Sequence, residues 1–310
     1  MPSVYYGANE AVICKLAEIC TCTEDAMFCT VYYAYIGSVQ AVSDRMTVKC
    51  GSGWCQTTTD STIRATLKKI TDHLGKIKWY QRGLLDDNSN SLYPFFEKDV
   101  VGSIDTVPVD VNHASHTFQP KYASDVVKLV CTTTHTGFIV QCSEPFQGAM
   151  HDNTALTASR FSNEWADGDK FLADGVFAAT PHILVPYSGP QIWPKKKKDA
   201  GATQLRLQRN QMHAHFRARI EHQFGASIFN RFRLLWRFKG ETDTLKPIVL
   251  LVVNVLNFEL LFLKGTSGRY RPVSEYSADE VHALHEKFRV HESMSSRYPN
   301  PEEKKKRARK

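Results

Sequence analysis

The chain has 310 residues, 42% hydrophobic and 23% charged, which excludes a fibrous or wholly unstructured chain and leaves room for one large domain or two small ones. The net charge is +7, and much of the basic excess lies in two runs, PKKKKDAG from Pro194 and EEKKKRARK at the C-terminus. Such runs are either solvated loops and tails or contacts for a polyanion, since clustered cations release counterions from a phosphate backbone. The terminal run also fits a nuclear-localisation signal, which predicts a nuclear protein.

Eight Cys occur without paired C-x-x-C spacing or a matching His pair, so a zinc finger is not indicated. The first residues lack a basic then apolar leader, and the thiols are expected to be free in a reducing compartment. The apolar run from Pro247 is interrupted by Asn254, Asn257 and Glu259, which predicts a buried helix and no membrane partner.

Residues 1–50 are rich in aromatics and Cys without clear periodicity, and predict no particular fold. From Thr57, Thr and Asp caps precede Ile63, Leu67, Ile70 and Leu74 at helical spacing. This helix is either the last of a helix-turn-helix unit or a packing helix. DVVGSIDTVPVDV from Asp99 alternates as a strand that carries Asp105. Strands follow over Val126–Thr133 and Phe138–Cys142, joined by a turn at Gly137. A Gly-containing loop then leads to a helix with Asp152 or Asn153 near its cap. A fourth strand ends at Asp174 and a fifth runs around His182 to Val185. This order predicts an α/β fold with a mixed sheet flanked by helices.

The stretch RNQMHAHFRARIEHQFG from Arg209 places Met212, Phe216, Ile220 and Phe224 on one helical stripe and His213, Arg217 and Glu221 on a second stripe at its edge. Arg217 and Glu221 could be an ordinary surface pair. The architecture offers more: Asp105 on the first strand, Asp174 at the end of the fourth and Glu221 on a helix packed against the sheet. Three converging carboxylates repel one another unless a cation joins them. Hard divalent ions, Mg²⁺ or Mn²⁺, meet that need, and two of them can support an in-line phosphoryl displacement.

FFEKDVVGSIDTVPV, KLVCTTTHTGFIVQCSEPFQGAMHDNTAL, FLADGVFAATPHILVPY and RNQMHAHFRARIEHQFGASIFNRFRLL together resemble the PIF/Harbinger-type transposases, DDE-superfamily endonucleases on a ribonuclease-H-like fold. The resemblance runs in order from about Phe95 to Phe262. It implies a DDE endonuclease domain over 95–268, preceded by an N-terminal region 1–94 with a helix-turn-helix remnant and followed by a disordered, basic tail over 269–310. It implies catalytic, metal-holding roles for Asp105, Asp174 and Glu221 with two Mg²⁺ or Mn²⁺ ions. Lys128, His151, Asp152, Asn210, His213 and Arg217 fall on supporting positions that place phosphates or the carboxylates; on the residues alone, Asp152 is equally a helix cap and Lys128 a snorkelling side chain. Affinity for double-stranded DNA would come from cations including Lys195 to Lys198, Arg231, Arg233 and Arg237. A Myb-like DNA-binding partner and a homodimer are further implications.

The chain departs from the pattern at Thr106-Val107, where the family often has Gly-Thr, at Phe177, where many relatives have Tyr, and at Leu256-Asn257, a partial Leu-His-Asn. The helix-turn-helix region before Thr57 is less full than in relatives. Two other readings remain: a domesticated or decayed derivative that binds DNA or a protein without cutting, and, less favoured, a nuclease for RNA hybrids.

Overall fold

The computed structural model describes residues 10–51, 53–80, 99–111, 118–119, 124–193, 200–222, 231–236, 238–239 and 242–262. Phe224, Arg237, the Lys195 to Lys198 run and the 269–310 tail with its terminal basic run lie outside the described residues.

The region for which the sequence predicted no fold is helical: α1 (Glu10–Ile19), α2 (Glu24–Ile36) and α3 (Val39–Cys50). Thr23 and Ser38 cap α2 and α3 by accepting from the backbone N–H of Ala26 and Ala41, and Gly37 ends α2 at φ 75°. No stripe was visible in α2 because Met27, Cys29, Val31, Ala34 and Tyr35 are buried around it, among α1, α3 and α4. A helix wrapped by neighbours needs no polar face. In α4 (Gln56–Leu74) the predicted stripe of Ile63, Leu67, Ile70 and Leu74 is buried, but the N-cap is Cys55, one residue before the helix, instead of a Thr or Asp.

The strands are β1 (Val100–Asp110), β2 (Phe118–Gln119), β3 (Ser124–Thr133), β4 (Ile139–Cys142), β5 (Phe146–Gln147), β6 (Lys170–Leu172) and β7 (Ile183–Leu184). Central β1 is antiparallel to β3 and parallel to β6; β7 runs parallel to β6, while β2, β4 and β5 pair with β3. The path β4-β3-β1-β6-β7 is the mixed, ribonuclease-H-like sheet that was expected. Two-residue β2 and β5 are too short to leave a periodic signal.

Gly102 is fixed by close approach, since a Cβ there would stand 2.1 Å from the Thr133 carbonyl oxygen, and the register against β6 slips at the same point. Beyond it β1 alternates. Ile104 joins one core with Val130, Phe138, Phe171 and Ile183. Val107 and Val109 join the other, with the N-terminal helices, and Asp105 shares their face by strand parity.

The remaining helices are α5 (Asp152–Ser159), α6 (Gly189–Ile192), α7 (Ala200–His222), α8 (Arg233–Trp236) and α9 (Thr242–Phe262). α9 is long and apolar enough to cross a membrane, but 67% of its apolar window is buried, against α1, α2, α4 and β4. Each polar residue that interrupts it has a partner. Asn254 accepts from Trp79 Nε1 at 3.0 Å, and Asn257 exchanges two hydrogen bonds with the backbone of Ile139. Glu259 takes both terminal nitrogens of Arg231, at 2.6 and 2.7 Å. Burial of amides on these terms costs little, because every donor and acceptor is met.

Arg231 corrects an expectation. Its guanidinium also donates to Tyr35 Oη at 2.7 Å, so it is a half-buried strut between α2 and α9, already occupied on both arms, and not a phosphate contact. Arg233 is exposed.

Candidate active site

Asp105 sits where β1 leaves the two-sided core, its side chain 20% exposed. Its carboxylate accepts from the backbone N–H of Thr106 at 2.8 Å. Burial pushes the carboxyl up to about 6; Glu221 and Asp174 push the same way, while Thr106 N–H and Arg217 act against them. Glu221 and Asp174, distant in sequence, are therefore each within electrostatic reach of Asp105.

Helix α7 delivers Glu221. Its stripe is buried as predicted at Met212, Phe216 and Ile220, and the second stripe climbs out of the core: His213 buried, Arg217 half-buried, Glu221 exposed. Arg217 donates from Nη1 to Asp105 Oδ2 at 3.4 Å and pairs through Nη2 with Glu221 Oε1 at 2.6 Å. The pair is thus more than a surface i,i+4 contact, since one guanidinium bridges two of the acids.

Asp174 lies two residues beyond β6. Its carboxylate accepts from Gly175 N–H at 2.5 Å and its carbonyl from Phe177 N–H at 3.0 Å. Phe177 itself is buried, so the phenyl ring anchors this loop where relatives were expected to have Tyr.

The supporting residues divide. Asn210, buried, clasps the backbone of Tyr187, accepting from its N–H at 2.7 Å and donating to its carbonyl at 2.9 Å. His213 Nε2 lies 2.9 Å from the Leu184 carbonyl oxygen, and burial depresses its pKa, keeping the ring neutral. Both dock α7 onto β7 and the strand's exit, and so aim Arg217 and Glu221 at β1. Lys128, buried on β3, donates to the Met150 carbonyl at 3.0 Å and pairs with Asp152 at 2.8 Å. It is therefore an internal tie, not a snorkelling surface cation. The cap of α5 is His151, whose Nδ1 accepts from Asn153 N–H at 3.3 Å, in place of Asp152 or Asn153. Asp152 is freed for Lys128.

Sequence reasoning missed Asn153. Its Nδ2 donates to the Val176 carbonyl at 3.0 Å and its Oδ1 accepts from Ala178 N–H at 2.7 Å. No spacing rule could have found a contact between a helix start and a distant loop.

Among the described residues, no group of three or more His, Cys, Asp and Glu side chains is gathered tightly enough to hold one ion. The donor chemistry nevertheless fits a hard divalent cation: three carboxylates, one held up to about 6 by burial and by the other two, with Arg217 as the cation now shared between Asp105 and Glu221.

A family model described as DDE superfamily endonuclease matches residues 102–257, half of the chain and a span containing all three acids. No curated protein and no solved structure matches. With the ribonuclease-H-like sheet carrying Asp105 on its central strand, the match is decisive: the chain belongs to the DDE superfamily of endonucleases.

Proposed function

We propose that the protein is a divalent-metal-dependent DNA endonuclease of transposase type, of the PIF/Harbinger kind, acting on duplex DNA in the nucleus. The observation that supports this reading is the Arg217 bridge between Asp105 on β1 and Glu221 on α7, with Asp174 just beyond the neighbouring strand β6, in a DDE-superfamily endonuclease domain. Asp105, Asp174 and Glu221 would hold Mg²⁺ or Mn²⁺, two ions by family analogy. Bound there, the metal supplies water activation and stabilises the leaving oxygen of a cleaved phosphodiester. The chain's own part is placement. Asn210 and His213 fix α7, Arg217 keeps the acids compatible before metal and DNA arrive, and the Asp174 loop is held from below by Phe177.

The N-terminal α3 and α4 would act as the helix-turn-helix remnant, with Thr57, Thr58, Ser61, Arg64 and Lys68 on the exposed face of α4 meeting DNA. A Myb-like partner or a second copy of the chain would supply whatever end recognition this face lacks.

A second reading, a derivative that binds DNA or a protein without cutting, is favoured by one observation: Arg217 already neutralises two of the acids. Nicking of supercoiled plasmid separates the two. Wild type with Mn²⁺ should nick, and both EDTA and Asp174→Asn should abolish it. Salt-sensitive binding with no Mn²⁺-dependent nicking, even at high protein, would leave the binding derivative.

A further inference from the structure

We propose that Asn153 is a positioning residue for Asp174, a role that rests on the endonuclease reading and goes beyond its acid triad. The loop from Asp174 to Ala178 is anchored at its buried points, through Ala173 N–H to the Leu184 carbonyl at 2.9 Å and through Phe177 N–H to the Asp174 carbonyl at 3.0 Å. Between them Gly175 and Val176 are exposed, Val176 by 50%. Asn153 holds this exposed stretch: one amide group takes the carbonyl of Val176 and the N–H of Ala178, two peptide units that flank Phe177.

An Asn in the first turn of a helix ordinarily serves its own helix. Here His151 has taken the cap, and both polar atoms of Asn153 face the loop. The clasp has a firm base, because its neighbour Asp152 is tied to Lys128 in the middle of β3, the strand that pairs residue by residue with β1. Asp105 on β1 and the Asp174 loop are thus linked through Lys128, Asp152 and Asn153. Loss of the amide keeps the anchors at Ala173 and Phe177 but loosens Asp174 relative to Asp105, and a metal ligand held loosely binds more weakly.

The test uses the full chain, comparing wild type, Asn153→Ala, Asn153→Asp and Asp174→Asn. Amide hydrogen exchange at Ala178 reports the clasp, and a thermal-shift titration with Mn²⁺ reports the metal site without requiring turnover. Asn153→Ala should speed Ala178 exchange and raise the Mn²⁺ midpoint, each about tenfold, as expected for two lost hydrogen bonds. Its metal-free melting temperature should stay within about 4 °C of wild type. Asn153→Asp keeps the acceptor for Ala178 and loses the donor to Val176, so it should fall between; it also decides the matter if the Ala variant does not fold. An unchanged Mn²⁺ midpoint in Asn153→Ala, alongside a raised one in Asp174→Asn, overturns the inference and leaves the endonuclease reading standing. A wild type without any Mn²⁺ response overturns that reading, and the inference with it.

Discussion

Arg217 and Asp105, 112 positions apart in the chain, meet at 3.4 Å across the junction of α7 and β1. The same guanidinium reaches Glu221 one turn on, so it balances the charge of two of the three acids. Arg217→Ala should therefore destabilise the metal-free protein by about 2 kcal/mol, less than a fully buried pair because Glu221 is half exposed. Urea unfolding at neutral pH reads the loss, and Mn²⁺ should restore more stability to the variant than to wild type. Equal stabilities would show that the bridge carries no charge balance.

Protonation of Asp105 makes a second expectation. Its carboxyl titrates at about 6 in the fold against an ordinary 3.8, so the folded chain favours the protonated acid. The stabilisation is fully present below pH 4 and is lost as pH rises through about 6, roughly 3 kcal/mol in all. Asp105→Asn, which mimics the protonated form, should flatten the stability curve over pH 4 to 6. Because a metal needs the carboxylate, Mn²⁺ affinity should climb with pH to about 6 and then level off. A stability curve that rises over this window would contradict the assignment.

Arg231 should behave as a structural cation. Arg231→Met should cost about 2 kcal/mol, less than removal of one partner of a fully buried pair because Arg231 is half-buried. The salt dependence of DNA binding should keep its slope, whereas loss of a phosphate contact would lower it by about 0.9. Comparing unfolding with binding at several salt concentrations separates the two.

Lys128 and Asp152 should couple. Their side chains are 10% and 21% exposed, so a double-mutant cycle with Lys128→Met and Asp152→Asn should give an interaction energy of about 1–3 kcal/mol. Additive effects would mean that Lys128 acts elsewhere, for example on DNA.

The buried stripes of α4 and α7 were legible, because each helix has one buried face and one face in water, and that contrast writes its period into the residues; β1, with a core on each face, was legible from its β-branched run. The strand leading to Asp174 was legible, although it ends at Leu172, two residues earlier than expected. Helices α1 to α3 were not, since α2 is enclosed on several sides and its apolar residues lose their period. Arg231 was misread for the opposite reason: a cation looks alike in sequence whether it meets phosphate or a buried Glu259. His151 as a cap and Asn153 as a clasp depend on where two distant segments come together, which only the folded backbone reveals.

Asp105, Asp174 and Glu221 are proposed to share a metal site. Calorimetric titration of Mn²⁺ into the wild type and into Asp105→Asn, Asp174→Asn and Glu221→Gln tests it most directly. Wild type should bind, and each of the three variants should bind at least tenfold more weakly, about 1.4 kcal/mol or more. Wild-type affinity in all three variants, or no binding by any of the four proteins, would contradict it.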